Sequence, residues 1–141
     1  MNSRFAVAVH TLAVLAWQDE MPVSSEVIAR SVNTNPVVIR RLIASLREAG
    51  LVTAQAGRGG GFFLGRAAKD ITLMDVYRAV EERELIPIHE ESNRRCPVGS
   101  CIDKVLLRYT TAAEKALEES LSRTTIQNVV ASIRRQRCQE S

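Results

Sequence analysis

The chain has 141 residues, of which 45% are hydrophobic and 25% charged, and its formal net charge is +3. This length and composition predict one ordinary soluble domain with an accessory helix, and no low-complexity segment is visible. The charge is uneven, because residues 1–66 hold seven arginines and four acidic residues, whereas residues 67–141 hold twelve residues of each sign. A basic first half is compatible with phosphate binding and equally with a solvated basic face.

The three cysteines do not form the even framework of a secreted disulfide-rich protein, since only Cys96 and Cys101 are close in sequence. The apolar run 5–17 superficially looks like a signal peptide. It contains His10 and Thr11, lacks an Ala-x-Ala cleavage site and is too short to span a bilayer. We therefore expect a cytoplasmic protein with reduced thiols and no membrane association.

The first half of the chain contains three predicted helices. The run 5–17 is apolar on nearly all sides, so this helix needs cover on more than one face, and a partner subunit could provide the second cover. Ser24 is placed to cap the second helix. Asn35 and Pro36 are the predicted cap and first residue of the third helix, which Gly50 ends.

The third helix has the pattern of a DNA recognition helix. Its core-facing residues recur at helical spacing and are Ile39, Leu42, Ile43 and Leu46. Arg40 and Arg41 lie toward the outside, where cations can reach the major groove. Taken alone, both are better explained as solvated surface arginines, because most helical arginines are solvated. The hairpin that follows favours the DNA interpretation.

Residues 51–56 and 62–65 are predicted strands joined by a glycine-rich tip that follows Arg58. Residues without a Cβ atom can adopt positive φ and approach another backbone closely. Arg58 can therefore enter a minor groove or pair with a phosphate, while the glycines lie close to the sugar-phosphate backbone. A plain flexible turn is the alternative. The tip is not a nucleotide-binding loop, because a strand follows it instead of a helix.

The predicted DNA-binding residues lie on the second helix, the third helix and the hairpin tip. They are Ser24, Ser25, Asn35, Pro36, Val37, Arg40, Arg41, Arg58, Gly59, Gly60 and Gly61. Nothing in the sequence argues for catalysis, because His10 and His89 have no Ser or Cys partner in a recognisable hydrolase pattern. We therefore expect a protein that is not an enzyme.

The second half of the chain contains three further predicted helices. Thr72 and Asp75 form a capping box for the fourth helix, and residues 85–101 are a predicted irregular loop. A long amphipathic helix follows over 102–121. A shorter helix is capped by Thr124 or Thr125 and ends before a basic tail.

Five segments together resemble the BadM/Rrf family of bacterial regulators, namely residues 24–29, 35–42, 46–52, 57–61 and 71–76. The most specific part is the Gly-Arg-Gly-Gly-Gly tip followed by Ile-Thr-Leu-Met-Asp-Val. The resemblance implies a mainly α winged helix-turn-helix protein with a small β-hairpin wing. It further implies a homodimeric repressor that binds a palindromic operator in double-stranded DNA. The long helix then crosses its partner through Ile102, Val105, Leu106, Tyr109, Ala113 and Leu117.

The family pattern is incomplete in the loop before the long helix. Cluster-binding relatives carry three cysteines there, whereas this chain has only Cys96 and Cys101, and Cys138 lies far off in the tail. An iron-sulfur site needs three or four thiolates or a substitute ligand, which His89 or a carboxylate at 90–91 could supply only in an unusual site. We expect no cofactor and no other metal.

Two interpretations of the cysteine pair remain open. Cys96 and Cys101 could form a reversible disulfide, because the following helix dipole and two preceding arginines favour thiolate. Alternatively, they are two reduced thiols without a signalling role. The effector is not predicted.

The sequence thus predicts a winged helix-turn-helix DNA-binding domain over 1–84, a sensor or linker loop over 85–101, and a dimerisation helix with a C-terminal helix over 102–141. The predicted function is a sequence-specific transcriptional regulator, for which redox control through Cys96 and Cys101 is one of the two open interpretations and reduced thiols without a signalling role are the favoured one. The alternative is a winged-helix protein-interaction or thiol/metal-binding module without a DNA role.

Overall fold

The computed structural model describes residues 3–81, 86–89 and 91–140. The chain divides into two compact units, one made of residues 1–81 and 122–141 and the other of residues 82–121. The predicted boundary between residues 84 and 85, and Glu90 of the predicted loop, lie outside the described residues.

Three helices open the first unit, and local signals fix where the second and third begin. They are α1 (Arg4–Trp17), α2 (Ser25–Val32) and α3 (Pro36–Glu48). The hydroxyl of Ser24 accepts from the backbone N–H of Val27 at 3.3 Å, and the Asn35 side chain accepts from that of Val37 at 2.8 Å. Each bond satisfies an N–H that the first helical turn leaves unpaired, so both predicted caps are confirmed.

Gly50 ends α3, as predicted. Its φ is +76°, in the left-handed region that glycine adopts without steric cost. The N–H of Gly50 donates to the carbonyl of Arg47 at 3.0 Å, and that of Leu51 donates to the carbonyl of Leu46 at 2.9 Å. This pair of bonds is a Schellman motif, which turns the chain directly into the first strand.

The predicted hairpin is present as two short antiparallel strands, β1 (Val52–Gln55) and β2 (Gly61–Leu64). Val52 pairs with Leu64 at the base, and Gln55 pairs with Gly61 next to the tip. A single residue ahead of α2 adds a further pairing, because Val23 exchanges backbone hydrogen bonds with Phe62 at 2.9 and 3.0 Å. The hairpin is therefore tied to the start of the helix-turn-helix.

A capping box starts α4 (Leu73–Val80), as predicted. The Thr72 hydroxyl accepts from the N–H of Asp75, and the Asp75 carboxylate accepts from the N–H of Thr72, both at 3.0 Å. A 3-10 turn at Ala68–Asp70, which the sequence did not indicate, leads into this helix.

The last helix, α6 (Ile126–Glu140), is longer than predicted, because the basic stretch expected to be a tail is helical. Of the two candidate caps, Thr125 is the one used, since its hydroxyl accepts from the N–H of Asn128 at 3.1 Å. The start of α6 is paired with the start of α4, because the N–H of Ile126 donates to the carbonyl of Ile71 at 2.9 Å. The sequence analysis grouped this helix with 102–121, whereas its contacts place it in the first unit.

The core of the first unit lies between α1, α3 and α4. Its fully buried residues include Ala8, Leu12, Ile28, Ile39, Ile43, Leu46, Leu51, Ile71, Val76 and Ile126. The second cover of α1 comes from α6 of the same chain, which corrects the suggestion that a partner subunit provides it. Arg134 and Arg137 of α6 lie over the ring of Trp17 at 4.6 and 5.7 Å from its centre.

The second unit consists of the described part of the loop and the helix α5 (Ile102–Ser122). The predicted long helix is therefore confirmed. Within the described residues no helix is both long and apolar enough to serve as a membrane span.

Candidate nucleic-acid interface

The outward face of α3 carries cations and two exposed valines. Arg40 and Arg41 are exposed, as predicted. Val37 and Val38 are 45% and 47% exposed, which is unusual for apolar side chains on a helix whose other face is fully buried. The sequence analysis selected Val37 and missed Val38. The run of two valines immediately after Pro36 was the available signal, because both cannot face the core.

Arg40 is held by the first turn of α2. Its Nη2 lies 3.2 Å from Oε1 of Glu26, and its Nε donates to the Ser25 hydroxyl at 3.3 Å. The Ser25 hydroxyl in turn donates to Oε2 of Glu26 at 3.3 Å. These three side chains form a closed network that joins the two helices of the helix-turn-helix.

Glu26 is therefore part of the candidate site, although the sequence analysis did not select it. Its pKa lies below the usual 4.5, chiefly because its backbone N–H at the start of α2 stabilises the carboxylate, and secondly because of the hydrogen bond from Arg40. The carboxylate is consequently ionised at neutral pH. Glu26 and Arg40 are fourteen positions apart in the sequence, so no local sequence pattern indicates that they pair.

Arg41 and Arg58 differ from Arg40 in their surroundings. Both side chains are exposed, and neither forms an ion pair or a side-chain hydrogen bond with the residues that the structure describes. Their charge is thus uncompensated by a local carboxylate. Both belong to the first unit, Arg41 on α3 and Arg58 at the hairpin tip.

The hairpin tip is a tight turn that presents Arg58 at its corner. The N–H of Gly60 donates to the carbonyl of Gly57 at 3.1 Å, which makes Arg58 the second residue of a four-residue turn. Gly59 is the third residue and has a φ of +77°, the left-handed value that a type II turn requires there. A non-glycine residue at position 59 would be strained.

Gly60 and Gly61 serve the fold itself. A Cβ atom on Gly60 would clash with the carbonyl oxygen of Gln55 across the hairpin. A Cβ atom on Gly61 would lie 2.7 Å from the carbonyl oxygen of Val23. Gly60 and Gly61 therefore allow close approaches within the protein's own backbone. Gly59 has open space around it, since nothing lies within 4 Å of an added Cβ.

The remaining predicted residues are mostly engaged in shaping the helices. Ser24 and Asn35 use their side chains as caps, and Pro36 occupies the first turn of α3. Ser25 is 7% exposed and is bonded to Arg40 and Glu26.

The second unit holds the predicted thiols and the predicted dimerisation stripe. Cys96 and Cys101 are free and exposed. Backbone N–H groups of Gly99, first, and Val98, second, lower the pKa of the Cys96 thiol below its usual 9.0 by stabilising the thiolate. The stripe residues of α5 are exposed or half-exposed: Ile102, Val105, Leu106, Tyr109, Ala113 and Leu117.

A family model described as "Rrf2: Iron-dependent Transcriptional regulator" matches residues 1–132. The chain belongs to the Rrf2 family. The HTH-type protein YwnA of Bacillus subtilis strain 168 is 41% identical to this Rrf2 chain over 131 residues, which cover 92% of this chain and 96% of YwnA. The protein rrf2 of Nitratidesulfovibrio vulgaris is 32% identical over 112 residues, which cover 79% and 73% of the two chains.

Solved structures resemble the Rrf2 chain over nearly its whole length. A crystallised protein described as DNA-binding has a TM-score of 0.74 and 38% identity, and the match covers 90% of this chain and 98% of that one. IscR of T. potens has a TM-score of 0.73 and 25% identity, with 94% and 87% covered. The predicted family, the mainly α winged helix-turn-helix fold and the function of a DNA-binding transcriptional regulator are confirmed.

Iron is the metal that the family description implies. In the described part of this Rrf2 chain, no group of three or more His, Cys, Asp or Glu side chains is close enough to hold a metal ion. Cys96 and Cys101 supply two thiolates in the loop, whereas an iron-sulfur cluster takes four ligands. The described residues therefore do not fit a cluster, and the operator-binding chemistry below involves none.

Proposed function

We propose that this regulator is a cytoplasmic homodimeric repressor that binds a palindromic operator with α3 in the major groove and the hairpin tip beside it. One observation carries the proposal. Arg41 on α3 and Arg58 at the tip are exposed cations without a local carboxylate. Cations of this kind displace condensed counterions from DNA, which is the main source of affinity for a duplex.

In this proposal α3 reads base edges. Arg40 and Arg41 can each donate two hydrogen bonds to O6 and N7 of a guanine, the commonest specific contact in the major groove. The exposed methyl groups of Val37 and Val38 suit the C5-methyl group of thymine. A half-site that contains both guanine and thymine is expected.

The hairpin tip supplies the second contact. The turn holds Arg58 at an exposed corner, where its guanidinium can enter the minor groove or pair with phosphate. Gly59 adds no side chain on that surface, so the backbone itself can approach the duplex.

The dimer is proposed to form through the apolar stripe of α5. Leu106 and Tyr109 are 41% and 71% exposed in the single chain, and exposed apolar stripes of this length mark protein interfaces. A two-fold dimer places two copies of α3 on successive major grooves about 34 Å apart, which a palindromic operator matches.

The proposal also includes control of operator binding by oxidation of Cys96 and Cys101. Cys96 is exposed and stabilised as thiolate, so hydrogen peroxide can oxidise it to sulfenic acid, with uptake of a proton and release of water. Attack by the Cys101 thiol then forms a disulfide and releases a second water. The new bond would constrain the chain just ahead of α5 and so alter the dimer that positions α3.

The test starts from an operator selected from genomic fragments, with affinity measured by fluorescence anisotropy at several salt concentrations. We expect Arg40→Ala and Arg41→Ala to weaken operator binding by about 1–3 kcal/mol each, the usual value of a bidentate base contact. Arg58→Ala should reduce the slope of log K against log salt by about 0.9 if it contacts one phosphate.

Arg108→Ala on α5 is the control, since it removes one positive charge outside the proposed interface. Unchanged operator affinity in both Arg41→Ala and Arg58→Ala would refute the assignment of the interface. Salt-insensitive and equal retention of operator and random DNA would instead favour a module that does not recognise DNA sequence.

A further inference from the structure

Among the predicted DNA-contacting arginines Arg40, Arg41 and Arg58, Arg40 differs because its guanidinium already has an anionic partner. Glu26 accepts from Nη2 at 3.2 Å, and the Ser25 hydroxyl accepts from Nε at 3.3 Å. Ser25 also donates to the second carboxylate oxygen of Glu26, so both partners of Arg40 are themselves connected. Two of the five guanidinium donors are used, and the others remain available.

We propose that Glu26 is a specificity determinant of this regulator. It favours contact of Arg40 with an uncharged base edge and disfavours contact of Arg40 with the DNA phosphates. The inference rests on the proposed docking of α3 in the major groove. It assigns a role in recognition to a residue that does not itself need to touch DNA.

The physical reason is a difference between two kinds of acceptor. A phosphate that approached Arg40 would lie near the Glu26 carboxylate. Two neighbouring anions repel each other. A guanine edge offers two acceptors without a net charge, so it can bind the free donors while Glu26 stays in place. The carboxylate therefore penalises non-specific contact more than base contact.

The network also limits the conformations of a long side chain. A free arginine loses rotamer freedom when it binds, whereas Arg40 is already fixed between α2 and α3. The ion pair is half exposed, with side-chain exposures of 53% and 61%, so its effect on overall stability is small. The ion pair therefore acts mainly on whether Arg40 binds a phosphate or a base edge.

The lowered pKa of Glu26 supports this arrangement. Its backbone N–H in the first turn of α2 stabilises the ionised carboxylate before the contribution of Arg40 is counted. Glu26 thus remains an anion while the free donors of Arg40 bind a base.

Glu26→Gln tests the proposal with the full chain, using the selected operator and a scrambled duplex of the same length and composition. We expect affinity for the scrambled duplex to rise about two- to fivefold, the range that corresponds to an exposed ion pair, while operator affinity rises less. The salt slope for the scrambled duplex should steepen by about 0.9, because Arg40 becomes free to contact one phosphate.

Glu20→Gln is the matched control, since it removes the same charge from an exposed turn between α1 and α2. The two substitutions are also compared in an Arg40→Ala background, where Glu26→Gln should lose its specific effect. Equal rises for Glu20→Gln and Glu26→Gln would overturn the proposal in favour of long-range charge alone.

An unchanged ratio of operator to scrambled affinity in Glu26→Gln would overturn it as well. Failure of the underlying function has a different signature, because the wild-type protein would then show no preference for any duplex. Urea unfolding of Glu26→Gln confirms that the variant is folded, and we expect a free energy of unfolding close to that of the wild type.

Discussion

Gly61 of the hairpin lies so close to Val23 that a Cβ atom at position 61 would come within 2.7 Å of the Val23 carbonyl oxygen. At the same place the neighbouring Phe62 exchanges two backbone hydrogen bonds with Val23. The glycine therefore allows the hairpin to pair with the segment that precedes α2. Position 61 links the wing to the helix-turn-helix through backbone alone.

Gly61→Ala should consequently destabilise the protein. The added methyl group meets backbone atoms, which cannot rotate away, and we expect a loss of about 1–3 kcal/mol in the free energy of unfolding. Urea denaturation followed by circular dichroism measures it. Gln55→Ala is the control, because Gln55 is exposed and lies on strand β1 of the same hairpin, where alanine adopts the extended backbone without strain. A Gly61→Ala variant as stable as Gln55→Ala would contradict the packing described.

Asn35 is expected to contribute to stability through its cap. Asn35→Ala leaves the N–H of Val37 without its 2.8 Å partner and should lower the free energy of unfolding by about 1 kcal/mol. Asn35→Asp keeps an acceptor oxygen at the same place and should stay close to the wild type. If the alanine and aspartate variants unfold at the same urea concentration, the cap contributes nothing measurable.

Cys96 should be the most reactive of the three cysteines below pH 9.0. Its thiolate is stabilised by the N–H groups of Gly99 and Val98, so its pKa lies lower and its alkylation by iodoacetamide begins at lower pH. Mass spectrometry of peptides from protein treated at pH 6 to 9 follows each cysteine separately. Cys101 in the same sample is the internal reference. Equal labelling of both cysteines at every pH would be inconsistent with the assignment.

The α5 stripe should control assembly. Leu106→Glu places a charge among exposed apolar residues that the proposed dimer buries, and it should shift the protein to monomer in sedimentation equilibrium. Thr111→Glu adds the same charge about 140° away around the helix axis, outside the stripe, and should leave the dimer intact. A dimer that survives Leu106→Glu would place the interface elsewhere.

The parts of the fold that the sequence predicted depend on neighbours within a few residues. Ser24, Asn35 and the pair Thr72 and Asp75 act on backbone groups two or three residues away, so their type and spacing carried enough information. Gly50 likewise ends α3 through bonds to the preceding turn. Helix caps and helix ends of this kind can be predicted without knowledge of the rest of the chain.

The features that the sequence did not predict depend on distant partners. The basic stretch of α6 was expected to be a tail because its charges suggested solvent, yet Arg134 lies over Trp17 from the other end of the chain. Glu26 escaped selection for the same reason, since only the fold brings it to Arg40. The sequence analysis therefore selected exposed cations of the candidate site and did not select the carboxylate that pairs with Arg40.

The stacking of Arg134 and Arg137 on Trp17 has a practical consequence, because Trp17 is the sole tryptophan of the chain. Its emission spectrum reports on one place, the contact between the first and last helices of the first unit. Detachment of α6 would expose the indole ring to water and shift its fluorescence to longer wavelength. The protein thus carries an intrinsic optical probe for partial opening at its C-terminal helix, separate from global loss of helicity.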